Sequence, residues 1–164
     1  MILRRTQITK TQAKDILSLI EADHEKVEQL FEQMAEAKGA KAHTCFNQIY
    51  KELTLHAKAE ELVFYPAMLE YEETKQYVEE AESEHNSAKI LLEQMKSLNP
   101  KDEEFQTKLT YLQETMLHHI EEEESELFEA VESCMDEPML QKLGEEFQAA
   151  KQKLESEVDL ALTQ

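Results

Sequence analysis

Few residues in this chain break helices or provide flexible turns. Its 164 residues include two glycines, three prolines and no tryptophan, whereas leucine, glutamate, lysine, alanine and glutamine are abundant. The abundant residues are strong helix formers, so the composition predicts an all-α protein. The length is sufficient for one domain with its own core.

Positive charge, cysteine and long apolar runs are also scarce. The 17 basic residues face 36 acidic ones, which gives a formal charge of −19, and such a chain repels nucleic acid and anionic membranes. No apolar run approaches the roughly 20 residues that span a bilayer, and the segment 1–6 has no secretory pattern. Cys45 and Cys134 are expected to be buried, reduced residues. We therefore expect a cytoplasmic protein with neither nucleic-acid nor membrane partners.

The sparse turn residues divide the chain into helices. Gly39 ends the first helix, Pro66 limits the second, and Asn99-Pro100 and Asp136-Glu137-Pro138 combine an N-cap with an early proline. The predicted helices are 11–37, 41–70, 73–97, 101–135 and 138–161. Because the loops are short, neighbouring helices run antiparallel, which predicts an up-down-up-down four-helix bundle with an additional C-terminal helix.

The same pattern divides the chain into three segments. They are an N-terminal tail (1–10), the bundle (11–135) and a C-terminal amphipathic helix (136–164). The last helix has an apolar stripe at helical spacing, formed by Leu140, Leu143, Phe147, Ala150 and Leu154. This stripe packs on the bundle or on a second chain, so both a monomer and a homodimer remain open.

Four histidines each occupy a position in the apolar stripe of a different predicted helix. They are His24, His56, His85 and His119. At about 1.5 Å of rise per residue, their distances from the predicted turns place all four within roughly one helical turn of the same level. Burying four imidazoles in one layer requires groups that satisfy them, and a metal site is the simplest such arrangement.

Two of these histidines have a glutamate four residues later on the same helical face. The pairs are His56–Glu60 and His119–Glu123, and the chain repeats as two hairpins, each with a histidine followed by His-x-x-x-Glu. Such a repeat suits two similar metal ions, each with two histidines and with the glutamates bridging. Nitrogen and oxygen donors without thiolate favour iron or manganese over structural zinc. Positions on the metals would remain open for an exogenous ligand.

Other assignments are less favoured by the pattern. A ferritin-like site would use Glu21–His24 and Glu82–His85 as Glu-x-x-His motifs, but this leaves His56 and His119 without a role. His118 with Glu122 forms a competing pair that is one step off the apolar stripe, and we expect His118 and His43 to be exposed. Whether Glu61 or Glu124 adds a further ligand is left open.

The motif H…HxxxE…H…HxxxE resembles that of the hemerythrin-like, or HHE cation-binding, family over roughly residues 16–130. The segment 56–66, HAKAEELVFYP, is similar to the family's HxxxEE…YP signature. The resemblance implies a di-iron centre, oxo- or hydroxo-bridged, in a four-helix bundle, with manganese or zinc as substitutes. Carried over by position, the ligands are His24, His56, Glu60, His85, His119 and Glu123.

The motif differs from that of the oxygen-carrying members of the family. Those have a further histidine four residues from the one in the third helix, where this chain has Ala81 and Lys89. Their last carboxylate is an aspartate five residues after its histidine, whereas Glu123 comes four residues after His119. The resemblance is therefore closer to bacterial relatives with four histidines and two glutamates. It implies binding of O2, NO or peroxide for sensing, binding or redox chemistry. The alternatives are an oxidoreductase that turns over peroxide or NO, and an iron storage or delivery protein.

Overall fold

The computed structural model describes residues 15–163, which form helices and no strands. Its helices are α1 (Ile16–Glu36), α2 (Ala40–Ala59), α3 (Tyr65–Met68), α4 (Glu72–Lys75), α5 (Val78–Lys96), α6 (Glu103–Glu122), α7 (Phe128–Cys134) and α8 (Glu137–Thr163). A π-helical turn, Glu60–Phe64, connects α2 to α3, and a second, Glu123–Leu127, connects α6 to α7. The predicted all-α bundle with an additional C-terminal helix is confirmed. The predicted tail 1–10 and the residues 11–14 of the first helix lie outside the described residues.

The helix ends follow local side-chain chemistry. Asp15 caps α1, because its Oδ1 accepts a hydrogen bond from the backbone N–H of Ser18 at 2.8 Å. Gly39 has φ = 60°, a left-handed conformation that glycine adopts at little cost, and it allows the sharp turn into α2. α6 begins later than predicted. Asn99 and Asp102 form a turn instead, in which Asp102 Oδ2 accepts from the N–H of Asn99.

A polar layer divides the hydrophobic core into two clusters. Val27, Leu53, Leu92 and Leu112 belong to one cluster, and the other contains residues such as Leu17, which lies before His24 on α1. The four histidines lie between the clusters along their helices. They therefore share one level of the bundle, as the residue counts from each loop predicted.

The C-terminal helix α8 packs on α1 and α2 of the same chain. Leu140, Leu143 and Phe147 are buried in one core cluster, and Val158 is buried in the other. Ion pairs from Lys51 of α2 reach Glu155 and Asp159 at 3.0 and 3.1 Å. The predicted apolar stripe of α8 is thus used within the chain. No helix among residues 15–163 has the length and apolar character needed to cross a membrane.

Candidate metal centre

All six residues predicted to bind metal lie in the polar layer and are buried. They are His24 on α1, His56 on α2, His85 on α5, His119 on α6, and Glu60 and Glu123 at the starts of the π-helical turns. The most exposed of the six, His85, retains 7% of its accessible surface. The structure therefore brings together the whole set that the sequence pattern selected.

Both glutamates are the first residue of a π-helical turn. Such turns are rare, and they occur frequently at functional sites. In each case the glutamate remains close to the histidine four residues earlier: His56 Nε2 lies 3.1 Å from Glu60 Oε1, and His119 Nε2 lies 3.2 Å from Glu123 Oε2. The sequence predicted the pairs but not the π geometry, because four-residue spacing is equally compatible with a regular α-helix.

Each glutamate also contacts a histidine of the other hairpin. The first hairpin comprises α1 to α3, and the second comprises α5 to α7. Glu123 Oε1 lies 3.2 Å from Nε2 of His24, and Glu60 Oε1 lies 3.3 Å from Nε2 of His85. Each carboxylate therefore connects one histidine of its own hairpin with one of the partner hairpin. The sequence repeat thus appears in three dimensions as an approximate twofold arrangement.

The donor atoms form two groups that could each hold a metal ion. One group is His24, His56 and Glu123, and the other is Glu60, His85 and His119; within each, the ligand atoms lie within 4.8 Å of one another. The paired imidazoles are adjacent, with ring centroids 5.0 Å apart for His24–His56 and 5.2 Å for His85–His119.

The inward-facing polar atoms fit a metal better than they fit one another. Among the described residues, both oxygens of Glu60 and Glu123 and the Nε2 atoms of His24, His56 and His119 form no hydrogen bond of acceptable geometry. Each of these nitrogens nevertheless lies 3.1 to 3.2 Å from one of these carboxylate oxygens. Two donors at right angles, each about 2.1 Å from one metal ion, would be ~3.0 Å apart. Buried polar atoms with this spacing are suited to a shared cation.

A second set of carboxylates contacts the outer nitrogen of each of the four histidines in the layer. Asp23 lies 2.8 Å from Nδ1 of His56, and Glu84 lies 2.8 Å from Nδ1 of His119. The other two contacts are Glu61 to His85 at 3.2 Å and Glu124 to His24 at 2.6 Å. When Nδ1–H donates to a carboxylate, Nε2 carries the lone pair that a metal requires, and the ring orientation is fixed.

Sequence reasoning did not find this outer set. Asp23 and Glu84 each precede the first histidine of a hairpin, and Glu61 and Glu124 each follow the buried glutamate. The repeated acidic neighbours were a signal that could have identified them. Glu61 and Glu124 were left open above as further ligands. In the structure each contacts an outward-facing Nδ1 atom, so both belong to the outer set of carboxylates.

The buried charges strongly perturb ionisation. Burial disfavours protonation of His56, but Glu60 and Asp23 outweigh it and raise its pKa to about 10. Burial likewise opposes ionisation of Glu123, yet His119 and His24 hold its pKa well below the usual value. For Asp23, burial is opposed by His56 and Lys151, which lower the pKa to about 2. The acidic groups therefore favour positive charge at the centre of the layer.

Several features break the twofold symmetry. The hydroxyl of Tyr65 lies 3.1 Å from Nε2 of His85, while the equivalent residue of the second hairpin, Phe128, has no hydroxyl. Burial and the surrounding glutamates raise the Tyr65 pKa well above its ordinary value, so the phenol stays protonated. The side chain of Glu61 is 46% exposed, whereas that of Glu124 is 2% exposed. The two groups of donor atoms therefore have different surroundings.

Three of the remaining candidates from the sequence, His118, His43 and Glu82, are exposed and are not part of this buried layer. His118 has a 66% exposed side chain and pairs with Glu122 at 3.1 Å, and His43 is exposed as expected. Glu82, needed for a ferritin-like arrangement, is exposed. Of the two cysteines, Cys45 is buried, but Cys134 is partly exposed, which differs from the expectation that both are buried.

A cavity of about 240 Å³ lies between α2, α5 and α8 and reaches the polar layer. Its lining includes the centre residues His56 and His85, together with apolar side chains such as Leu53, Leu92 and Val158. The cavity gives a small molecule space beside the two histidines that flank Glu60.

Comparison with known proteins supports this description. The family model for the hemerythrin HHE cation-binding domain matches residues 15–131. A DNA nickase of Nostoc sp. is 34% identical over 151 residues, covering 92% of this chain and 43% of that protein. An uncharacterized hemerythrin-like protein of Schizosaccharomyces pombe is 29% identical over 132 residues, covering 79% of this chain and 65% of that protein. The chain thus spans less than two thirds of either relative.

A solved structure has the same fold. The crystal structure of a hemerythrin HHE cation-binding domain-containing protein from Mycobacterium kansasii aligns with a TM-score of 0.76 and 18% identity, covering 87% of this chain and 88% of that one. This structural similarity supports the fold described above over most of the chain. With a family model that matches 15–131 and all six motif residues in one buried layer, the chain belongs to the hemerythrin HHE cation-binding domain family.

Proposed function

We propose that this protein holds a non-haem di-iron centre with four histidine and two glutamate ligands. The observation that carries the proposal is the orientation of the imidazoles. All four Nε2 atoms lie near the buried carboxylates, and all four Nδ1 atoms lie near outer carboxylates. In this assignment His24 and His56 would hold one ion, His85 and His119 would hold the other, and Glu60 and Glu123 would supply carboxylate oxygens to both.

The donor set supports iron over structural zinc. It offers six nitrogen and oxygen donors and no thiolate, whereas structural zinc sites commonly use four ligands that include cysteine. Six protein ligands do not complete the coordination of two octahedral ions, so positions remain for an exogenous ligand. When bound, a di-iron centre supplies reversible redox chemistry and affinity for oxygen-containing or nitrogen-containing small molecules. Manganese or zinc could occupy the same donors.

The exogenous ligand we propose is O2, NO or peroxide. The cavity beside His56 and His85 has space and an apolar wall suited to such small molecules. The chain's own groups would then orient the site: the outer carboxylates would fix the imidazoles, and the Tyr65 hydroxyl, 3.1 Å from His85 Nε2, would be close enough to donate a hydrogen bond to a ligand bound beside that histidine. The first candidate role is binding or sensing, and the second is turnover of peroxide or NO. Iron storage or delivery is the third.

We expect no nicking of DNA by this chain. The name of the Nostoc relative describes a nickase, but this chain spans 43% of that protein. A net charge of −19 opposes approach to a phosphate backbone. Supercoiled plasmid incubated with the iron-loaded protein is therefore expected to stay intact, and nicking that disappears in His56→Ala would contradict this.

The metal content per chain and the visible spectrum test the proposal. Protein loaded anaerobically with Fe²⁺ and then exposed to air is expected to contain about two irons and to show charge-transfer absorption. Adjacent histidines provide matched variants: His119→Ala should lose iron, whereas His118→Ala, on an exposed position, should retain it. No bound iron after loading, or equal loss in both variants, would contradict the proposed centre.

Functional assays distinguish the candidate roles once iron is bound. A stable spectrum with O2 or NO, without turnover, would favour binding or sensing. Loss of peroxide or NO that is catalysed by the wild type and abolished in His56→Ala would favour an enzyme. Ready transfer of iron to a chelator would favour storage or delivery.

A further inference from the structure

The C-terminal helix reaches the polar layer through a chain of charged contacts. Nζ of Lys151 on α8 lies 2.6 Å from Oδ1 of Asp23, and Oδ2 of Asp23 lies 2.8 Å from Nδ1 of His56. α8 begins at Glu137, beyond residue 131 at which the family match ends. This contact therefore comes from a part of the chain outside the matched domain.

An aromatic contact at the same level keeps Lys151 in place. Phe147, one turn earlier on α8, is 1% exposed, and its ring meets that of His56 edge-on with centroids 6.0 Å apart. Nζ of Lys151 lies 5.6 Å from the Phe147 ring centroid, a distance at which a cation is attracted to an aromatic face. The lysine side chain is thus held between the Phe147 ring and the Asp23 carboxylate.

Within the part of the chain that the structure describes, no ammonium group contacts the equivalent carboxylate of the second hairpin, Glu84. It contacts Nδ1 of His119, and the exposed His118 and the partly buried Glu122 also lie close to it. The Asp23 carboxylate is therefore held by the ammonium group of Lys151 on α8. Its counterpart, the Glu84 carboxylate, lies beside the exposed His118 and the partly buried Glu122. The two halves of an otherwise repeated site differ in how firmly an outer carboxylate is anchored.

We propose that Lys151 is a positioning residue that holds Asp23 against His56, so that α8 tightens metal binding at the His24–His56 half of the centre. The inference rests on the proposed di-metal function. A charge-assisted hydrogen bond restricts the Asp23 carboxylate to the rotamer in which its other oxygen accepts from His56. His56 then keeps Nε2 directed inward before a metal arrives, and less ordering is required on binding.

Anaerobic titration with Co²⁺ tests the inference, because the visible bands of this ion report each binding step without redox chemistry. Lys151→Met is expected to weaken one of the two steps by ~3- to 10-fold, less than the 10- to 100-fold typical for loss of a direct outer partner. Lys151→Arg should restore most of the affinity. The matched control is Lys51→Met, which removes two other ion pairs of α8, those from Lys51 of α2 to Glu155 and Asp159, and should leave both steps unchanged.

A double variant tests whether the lysine acts through Asp23. Asp23→Asn alone should weaken the same step, and adding Lys151→Met should cause little further loss, because coupled residues are not additive. Equal weakening of both steps by Lys151→Met, an equal effect of Lys51→Met, or no effect of Lys151→Met would overturn the inference.

Nuclear magnetic resonance of the metal-free protein separates this inference from the proposed function. The Nδ1–H proton of His56 should be a slowly exchanging downfield signal in the wild type and in Lys51→Met. In Lys151→Met its exchange should become at least several-fold faster. An unchanged signal would overturn the positioning role of Lys151 whether or not the wild type bound metal. Absent metal binding would overturn the di-metal function and the effect of α8 on affinity, but not the positioning of His56 by Lys151 and Asp23.

Discussion

The Tyr65 hydroxyl lies 3.1 Å from Nε2 of His85, the same nitrogen that faces Glu60 at 3.3 Å. A phenol in this position competes with a metal ion for the imidazole lone pair. The second hairpin has Phe128 at the equivalent position, so this competition affects one half of the proposed centre.

Tyr65→Phe is expected to strengthen metal binding at the His85–His119 position. The metal no longer displaces a hydrogen bond worth about 0.5–1.5 kcal/mol, which corresponds to roughly a 2- to 10-fold gain in affinity. Two-step Co²⁺ titration measures this change, with the exposed Tyr111→Phe as the control. Weaker binding in Tyr65→Phe would instead show that the phenol supports the metal.

Glu123→Gln is expected to reduce the metal content below two ions per chain. Its two oxygens contact His24 and His119 separately, so removing the negative charge affects both hairpins. Iron analysis after anaerobic loading measures the result. Glu122→Gln, one residue earlier and outside the layer, should load like the wild type; equal iron in the two variants would refute a central role for Glu123.

Removing the metal is expected to destabilise the bundle. The inner nitrogen and oxygen atoms would then be buried without a shared cation, which carries a desolvation cost. At a free metal concentration 100-fold above Kd, binding contributes about 2.7 kcal/mol, or ~5–10 °C in Tm for a domain of this size. Calorimetry of metal-free and loaded protein checks this, and identical melting temperatures would contradict it.

The Tyr50–Glu93 hydrogen bond gives a pH dependence away from the metal layer. The phenol donates to Glu93 Oε1 at 2.5 Å and lowers the Glu93 pKa, while burial and Glu93 raise the Tyr50 pKa to about 12. A lowered carboxyl pKa adds stability that is lost as pH falls below its ordinary 4.5. A raised phenol pKa adds stability that is lost as pH rises from 10.0 toward about 12.

Tyr50→Phe should therefore differ most from the wild type between about pH 5 and 9. The loss is expected to be modest, about 1 kcal/mol, because the Glu93 side chain is 46% exposed and screened by solvent. Urea unfolding at pH values below, within and above this range measures the difference, which should narrow as the pH falls below 4.5 and as it rises above 10.0. A difference independent of pH would indicate that packing of Tyr50 causes the effect.

Periodicity was sufficient to predict the bundle and its polar layer. The stripe positions of His24 and His85 depend on three- and four-residue spacing, and their common level depends on residue counts from short loops. Both are local properties of the sequence, and the structure retains them. The start of α6 was predicted too early because Asn99 and Asp102 satisfy each other in a turn, a choice that residue preferences alone do not decide.

The outer carboxylates and π-helical turns could not be derived from the same pattern. The π turn after His56 affects which later residues are buried: Phe64 is buried, whereas its neighbour Val63 is only partly buried. Which nitrogen Asp23 or Glu61 contacts depends on rotamers fixed by residues of neighbouring helices. Such contacts across the bundle are tertiary properties, and spacing within one helix does not encode them.

The positions of the buried histidines and glutamates on their helices restrict where the length of this chain can change. Consider an insertion or deletion of one residue inside a helix between His24 and Glu60. It would rotate the donors on one side of the change by about 100° relative to those on the other side. The intervening loops carry no such requirement, since an added residue there leaves each helical face unchanged. Homologous sequences are therefore expected to vary in length near Gly39 and Asn99, and to keep a constant spacing between each paired histidine and its glutamate.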